Sequence, residues 1–313
     1  MQKLLLLTLT ILLLSGCYEQ YASYQASKLP LDGKYLKIAN KNMHIVEKGK
    51  GVPSVIFISG WDIMGHMSWQ NVQNEVAQKT YTLSYDRAGI LRSDTIDSPR
   101  TCSNISEELH TLLENANVKK PYILVGHSLG GGFIRCFVKQ HKNEVAGVVL
   151  VDSAHPEQMK YYKKSVQERM RNLPSLWLVK LQAYSGLARI YSKFYGHDIP
   201  FIKKDDIRNS KKNAFLPKSY IEYIREGKHF KEMSQEINGT TFGDTPLIVL
   251  SAKESQKTQA IKYEDWKMLQ DKLAKLSSNS KHRWVDSGHY IQLEKPKVVI
   301  EAVNEMVDMV RED

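Results

Sequence analysis

Cysteine is scarce in this chain, three residues in 313. That number excludes a disulfide-dense scaffold, and no Cys or His pair stands at a metal-ligand spacing, which leaves no sign of a structural zinc module or of any other metal site. Long apolar runs are missing too. The most apolar stretch, residues 4–14, is interrupted only by Thr8 and Thr10, and eleven helical residues rise about 16 Å against a hydrocarbon core of about 30 Å. It is too short to remain as a membrane span. Internal repeats and low-complexity tracts are also absent, so the length fits one large globular domain carrying an insertion.

What the amino terminus does contain has an order. Met1-Gln2-Lys3 gives a short positive start, the apolar run follows, and Leu14-Ser15-Gly16-Cys17 closes it, the layout of a signal peptide over residues 1–16. The ending resembles a bacterial lipobox, in which the cysteine is lipidated and becomes the first residue. That resemblance implies a lipid anchor on Cys17 and a place on the non-cytoplasmic side of a bacterial cell envelope. Residues 17–32, rich in Tyr, Ser, Gln and Ala, read as a tether, and the fold proper begins near Gly33. Of the other two cysteines, Cys102 falls at a helix start and Cys136 on a later helix; they can pair outside the cytoplasm, but a buried, apolar Cys136 is the plainer expectation.

The net charge is +10, and most of the excess lies in residues 156–245, where 17 Lys and Arg face 10 Asp and Glu, a balance of +7. Aromatics such as Trp177, Tyr184, Tyr191, Phe194, Tyr195 and Phe201 are interleaved with them. Such a mixture suits an anionic membrane surface or a pocket lining, and equally a solvated helical face. Nucleic acid is disfavoured, because no recognised binding motif accompanies the charge.

Strand-like and helix-like patterns alternate along the rest. Apolar runs recur at 34–38, 43–47, 55–58, 80–85, 122–125, 145–151, 247–251 and 283–285, with helix-period stretches at 69–78, 105–116, 131–141, 263–276 and 298–310. Runs such as Val148-Val149-Leu150-Val151 belong to a parallel sheet covered on both faces, and the first two close into an antiparallel hairpin at its edge. This predicts an α/β protein with a mostly parallel, doubly wound sheet of eight strands. Residues 33–155 and 246–313 form its core. The insert at 156–245, with helical patterns at 175–191 and 218–228 separated by Pro174, Pro200 and Pro217, is expected to be a helical lid over the carboxyl ends of the strands.

The chemistry centres on Gly126-His127-Ser128-Leu129-Gly130, a G-x-S-x-G motif between the run at 122–125 and the helix that follows. A serine attacks a carbonyl only when raised clear of the backbone, and a glycine-flanked strand-to-helix turn does that. The base is expected at His289, in Asp286-Ser287-Gly288-His289-Tyr290 after the last strand. Oxyanion donors are expected from the backbone N–H groups of Leu129, after the nucleophile, and Trp61, after Ser59-Gly60. His127, His66 and His155 read as elbow, pocket or loop residues.

With Asp86-Arg87-Ala88-Gly89 and Gly288-His289, these motifs resemble the lid-bearing α/β-hydrolase superfamily of esterases, lipases, peroxidase-like hydrolases and dehalogenases. The likeness spans residues 34–310. Two positions depart from it, Ser59 where a histidine is common and Leu91 where a glycine is common; Asp86 and Arg87 are expected to be structural. The family's usual acid position after strand seven offers Glu254 in a degraded motif, whereas Asp152 ends strand six, where some dehalogenase-like relatives carry the acid. Asp152 is favoured. The expected function is a serine hydrolase working through an acyl-enzyme, without a cofactor, on small-molecule carboxylic esters with apolar acyl groups. Amide or thioester hydrolysis, acyl transfer and a non-catalytic ligand-binding role stand as alternatives.

Overall fold

The computed structural model describes residues 2–28, 32–190, 216–255 and 260–312. The expected lid residues Tyr191, Phe194, Tyr195, Pro200 and Phe201 lie outside these. Eight strands form one sheet: β1 (Lys34–Ile38), β2 (Lys41–Lys48), β3 (Ser54–Ile58), β4 (Thr82–Tyr85), β5 (Tyr122–His127), β6 (Val145–Val151), β7 (Leu247–Ala252) and β8 (Ser280–Val285). Their spatial order is β1-β2-β4-β3-β5-β6-β7-β8. β2 pairs antiparallel with both β1 and β4, and every other pairing is parallel. The β1–β2 hairpin turns at Ala39 and Asn40, with φ of 46° and 62°; positive φ at both central positions matches the right-handed twist of the flanking strands.

The sheet is buried on both sides because its strands alternate between two cores. On β3, Val55 and Phe57 join the side covered by α2 (Gln70–Val76) and the C-terminal α11 (Pro296–Glu312), while Ile56 and Ile58 face the side of α3 (Cys102–Asn115) and α4 (Leu129–His141). This double burial is why the strand sequences are continuously rather than alternately apolar. α3 turns a stripe of Ile105, Leu109, Leu112 and Leu113 inward, and Thr101 caps it by accepting from the Asn104 amide. Cys102 and Cys136 form a disulfide, Cα atoms 6.0 Å apart, that joins the start of α3 to α4. The plainer expectation of an unpaired Cys136 is corrected: both cysteines face the α3–α4 seam.

β3 connects to β4 on one side and β5 lies on the other, so the chain reverses its winding between β3 and β5. The carboxyl ends of these two strands, the segments at Ser59-Gly60-Trp61 and Gly126 to Gly130, therefore meet at the crevice where open α/β sheets bind ligands.

The insert after β6 is helical: α5 (Lys164–Arg171), α6 (Leu176–Tyr184), α7 (Pro217–Lys228) and α8 (Phe230–Ile237). α6 and α7 share a small core of Val179, Ala183, Ile221 and Ile224. The remaining helices, α9 (Tyr263–Leu273) and α10 (Ile291–Glu294), flank β8 in the chain. At the amino terminus one helix, α1 (Gln2–Ser27), runs through Cys17. Residues 18–27, expected as a tether, are thus helical. Glu19 is buried and forms a two-pronged ion pair with Arg189, at 2.7 and 2.8 Å, which binds α1 to the lid. No helix among the described residues is long and apolar enough to cross a membrane.

Candidate active site

Ser128 sits between β5 and α4 with φ 51° and ψ −122°, outside the regions open to side-chain-bearing residues, a conformation that costs of order 1–3 kcal/mol. The surroundings hold it there. Its N–H donates to the Val151 carbonyl, and its own carbonyl accepts from the Gly131 and Ala154 amides and from Ser153 Oγ. α4 can start so close to the sheet only because its first turn is glycine: a Cβ on Gly130 would stand 2.4 Å from the Ile58 carbonyl oxygen, and one on Gly131 would stand 1.8 Å from Ser153 Oγ. The Ser128 side chain keeps partial solvent access while its neighbours are buried.

His289 lies in the loop between β8 and α10. Its Nδ1 is 2.6 Å from Asp152 Oδ2, and the other oxygen of Asp152 accepts from the Ala252 amide at 2.8 Å. A carboxylate only accepts, so Nδ1 carries the proton and Nε2 is the nitrogen with a free lone pair. Asp152 is fully buried at the tip of β6 with φ 44°, a left-handed conformation that Asp tolerates better than most residues. Of the two candidate carboxylates, then, Asp152 is the one on the imidazole; Glu254 follows β7 with its N–H on the Ser287 carbonyl. Ser255 Oγ is 3.4 Å from the same Nδ1.

His127 links Ser128 to this loop. Its Nε2 donates to the His289 carbonyl at 3.0 Å, and the two rings are 4.6 Å apart. Burial, and repulsion from His289 whenever that ring is protonated, push the His127 pKa down, which keeps the ring neutral.

The Ser59-Gly60-Trp61 turn presses on the elbow from the β3 side. A Cβ on Gly60 would come within 2.9 Å of Ser128 Cβ. Among the described residues, neither the Trp61 nor the Leu129 amide donates to a backbone carbonyl, which leaves two N–H groups flanking Ser128. The Trp61 indole leaves the turn for the lid: it stacks on Tyr223, ring centres 4.4 Å apart, and donates Nε1–H to the Tyr223 carbonyl. Next to it Asp62 is buried with one oxygen on the Met64 amide and Oδ2 without a partner among the described residues. Burial pushes its pKa up to about 6, against the pull of Arg87.

Arg87 and Asp86 are structural, as expected, but Arg87 does more than close a turn. Its guanidinium donates to the carbonyls of Ser59 and Gly60 and to Ser59 Oγ, and grips Glu226 of α7 with two bonds of 2.8 and 3.0 Å. Asp86 binds His44 and His66, so His66 belongs to that buried cluster and not to the crevice. Leu91, in place of the common glycine, takes φ 43° and gives its N–H to Ser219 Oγ of α7. His155 borders a narrow apolar pocket with Leu129, Phe133, Ala154, Phe230 and Met233 under α8. Sequence reasoning missed Glu226 and Glu222 of the lid, which pair with Arg87 and Arg100 of the core, both carboxylates fully buried. In the sequence they look like ordinary polar positions of an amphipathic helix; a fully buried α7 face is what singles them out.

A serine on a strained strand-to-helix turn, an aspartate-bound imidazole and a lid over the switch point define the architecture of α/β hydrolases. A model of the alpha/beta hydrolase fold matches residues 53–296, and the chain belongs to that family. Among curated proteins it is similar to YqjL and YbdG of Bacillus subtilis strain 168, both uncharacterised. It is 23% identical to YqjL over 80% of this chain and 82% of that one, and 22% identical to YbdG over 79% and 78%. Among solved structures it resembles a thermophilic esterase from Thermogutta terrifontis, with TM-score 0.64, 17% identity and coverage of 88% and 97%. It also resembles a candidate epoxide hydrolase from Pseudomonas aeruginosa, with TM-score 0.68, 15% identity and coverage of 91% and 99%. At these identities the structural likeness establishes the fold.

Proposed function

We propose that the chain is a serine hydrolase that forms an acyl-enzyme on Ser128, acting on carboxylic esters with apolar acyl groups. The observation that carries this reading is the 2.6 Å contact of His289 Nδ1 with Asp152, which leaves Nε2 with a free lone pair, on a loop whose His289 carbonyl is bonded by His127, the residue before Ser128. His289 takes the Ser128 proton as Oγ bonds to the ester carbonyl carbon. The tetrahedral oxyanion is held by the Trp61 and Leu129 N–H groups. Collapse expels the alcohol, which leaves with the proton from His289, and a water activated by the same imidazole then releases the acid. Leu129, next to the nucleophile, packs with Phe133, Phe230 and Met233, apolar side chains that an apolar acyl group could part and lie against; the gap between them is only about 10 Å³. No step requires a cofactor.

We further propose that Cys17 is lipidated and holds the chain on the outer side of a bacterial membrane, with the basic insert toward anionic lipid. A disulfide between Cys102 and Cys136 supports an oxidising compartment. Labelling with radioactive palmitate, lost in Cys17→Ala, tests the anchor. A fluorophosphonate probe tests the chemistry: labelling of the folded wild type but not of Ser128→Ala is expected, and p-nitrophenyl esters of increasing chain length then define the acyl preference. No labelling of folded wild type, or equal labelling of Ser128→Ala, returns the fold to a non-catalytic binding role.

A further inference from the structure

Helix α6, Leu-Trp-Leu-Val-Lys-Leu-Gln-Ala-Tyr, is apolar around nearly its whole circumference. Such a helix is normally enclosed. Here one side is: Val179 and Ala183 are buried against Ile221 and Ile224 of α7. The opposite side is open, with Trp177 69%, Leu181 57% and Tyr184 51% exposed. With Lys180 these residues stand at i, i+3, i+4 and i+7, so they form one stripe. A large exposed apolar stripe on a basic insert marks a contact surface.

What covers it is indicated by what lies beside it. Cys17 is exposed and, with Gln20, lies beside this stripe; Leu12, Leu13 and Gly16 of α1 also border it, but on the anchor reading they are removed with residues 1–16, which opens the stripe further. Tyr21 and Tyr24, four and seven residues beyond Cys17, continue the same face of α1 and are exposed. Two residues after Cys17, Glu19 is locked to Arg189 at the end of the lid's first half. Two helical residues span about 3 Å. An acylated Cys17 would therefore not lie at the end of a free tether. Its acyl chains would emerge beside the α6 stripe, and the lid would be held at headgroup depth, where Trp and Tyr rings and lysines are favoured.

We propose that the outer face of α6, with the exposed face of α1 beyond Cys17, docks on the bilayer, and that the Glu19–Arg189 pair fixes the lid there. This rests on the anchor reading. From the membrane inward the order is then α6, α7, Trp61 and Ser128, which puts two helix layers between lipid and nucleophile.

The test uses the full chain, processed by a bacterial host and reconstituted into phosphatidylethanolamine–phosphatidylglycerol vesicles containing acyl-chain-brominated lipid. Quenching of tryptophan fluorescence is expected in the wild type and should be largely lost in Trp177→Phe, since Trp69 and Trp266 are buried, Trp61 is stacked under Tyr223 and Trp284 stands on β8 at the edge of the sheet. Arg189→Gln should retain palmitate label on Cys17 but lose part of the quenching. A palmitate-labelled protein that is unquenched, or quenched equally with and without Trp177, overturns the docked face, as does a concentration-dependent dimer that buries Trp177. Quenching unchanged in Arg189→Gln overturns the short leash. An unlabelled chain sinks the anchor, and the leash with it.

Discussion

Replacing Asp152 with Asn is the sharpest test of the proposed triad, because the geometry dictates which way the new amide must face. The Ala252 N–H donates to Asp152 Oδ1 and needs an acceptor there. In Asp152→Asn the amide oxygen takes that place, since a buried N–H facing an NH₂ group would lose its partner. The NH₂ group then points at His289 Nδ1, which must accept instead of donate. That moves the imidazole proton to Nε2, and the nitrogen assigned to Ser128 in the proposed mechanism no longer has a lone pair for its proton. Loss of the correct tautomer typically lowers turnover about ten-thousandfold, equivalent to about 5.4 kcal/mol of transition-state stabilisation. The fold should survive, since Asn tolerates the φ of 44° at this position as well as Asp does. The assay is steady-state hydrolysis of a p-nitrophenyl ester, with kcat and KM separated and a melting curve as control. A drop in kcat at nearly constant KM is expected, while Glu254→Gln should stay within about threefold of wild type on that scale of triad effects. Should Asp152→Asn keep kcat within tenfold, or Glu254→Gln prove the severe variant, the tautomer reasoning is refuted.

Ser128→Gly should abolish turnover yet raise the melting temperature, because glycine relieves backbone strain of order 1–3 kcal/mol at φ 51°; a lower melting temperature would show that Ser128 is not strained. Reduction of Cys102–Cys136, which closes a 34-residue separation, should cost up to about 4 kcal/mol by chain entropy, read as a shift in urea midpoint with and without dithiothreitol. Burial pushes the Glu222 pKa up from 4.5 to about 7, against the pull of Arg100. The folded state therefore binds the proton more tightly, so this contribution is complete below about pH 4.5 and is lost as pH rises through about 7. Hydrogen exchange over 217–228 should show the lid loosening between about pH 5 and 8, by at most about 3 kcal/mol, and Glu222→Gln should flatten the trend. Glu226→Gln, which strips Arg87 of its buried partner, should destabilise by about 3–5 kcal/mol, measured by thermal melting.

The sheet was legible because burial on both faces writes itself into composition: Val148-Val149-Leu150-Val151 has no solvent side to record. The elbow was legible because only glycine permits the approach of α4 to β3 and β6, and Ser128 stands among Gly126, Gly130 and Gly131. Asp152 could be preferred to Glu254 from its place at a strand end, but only the fold brings it to His289, 137 positions away. Residues 18–27 read as a tether because their Tyr, Ser and Gln look solvated, whereas they are helical and Glu19 finds a buried partner 170 residues on. The plainer expectation of an unpaired Cys136 failed for the same reason: pairing depends on two helices packing, which local pattern does not encode. Glu222 and Glu226 were missed because a carboxylate on a helix usually faces water, and only tertiary contact reveals an arginine beneath it.

One cation ties the roof of the crevice to its floor. The same Arg87 fork that clasps Glu226 in α7 also steadies the carbonyls of Ser59 and Gly60, the second of which shares a peptide unit with the Trp61 N–H, the proposed oxyanion donor. Lifting α7 would strip that arginine of its counter-charge in a water-poor interior and slacken the loop beside Ser128 in the same movement. In the proposed mechanism, then, the aim of that N–H depends on α7 being seated: the roof and the donor beneath it are held by one side chain and would be lost together.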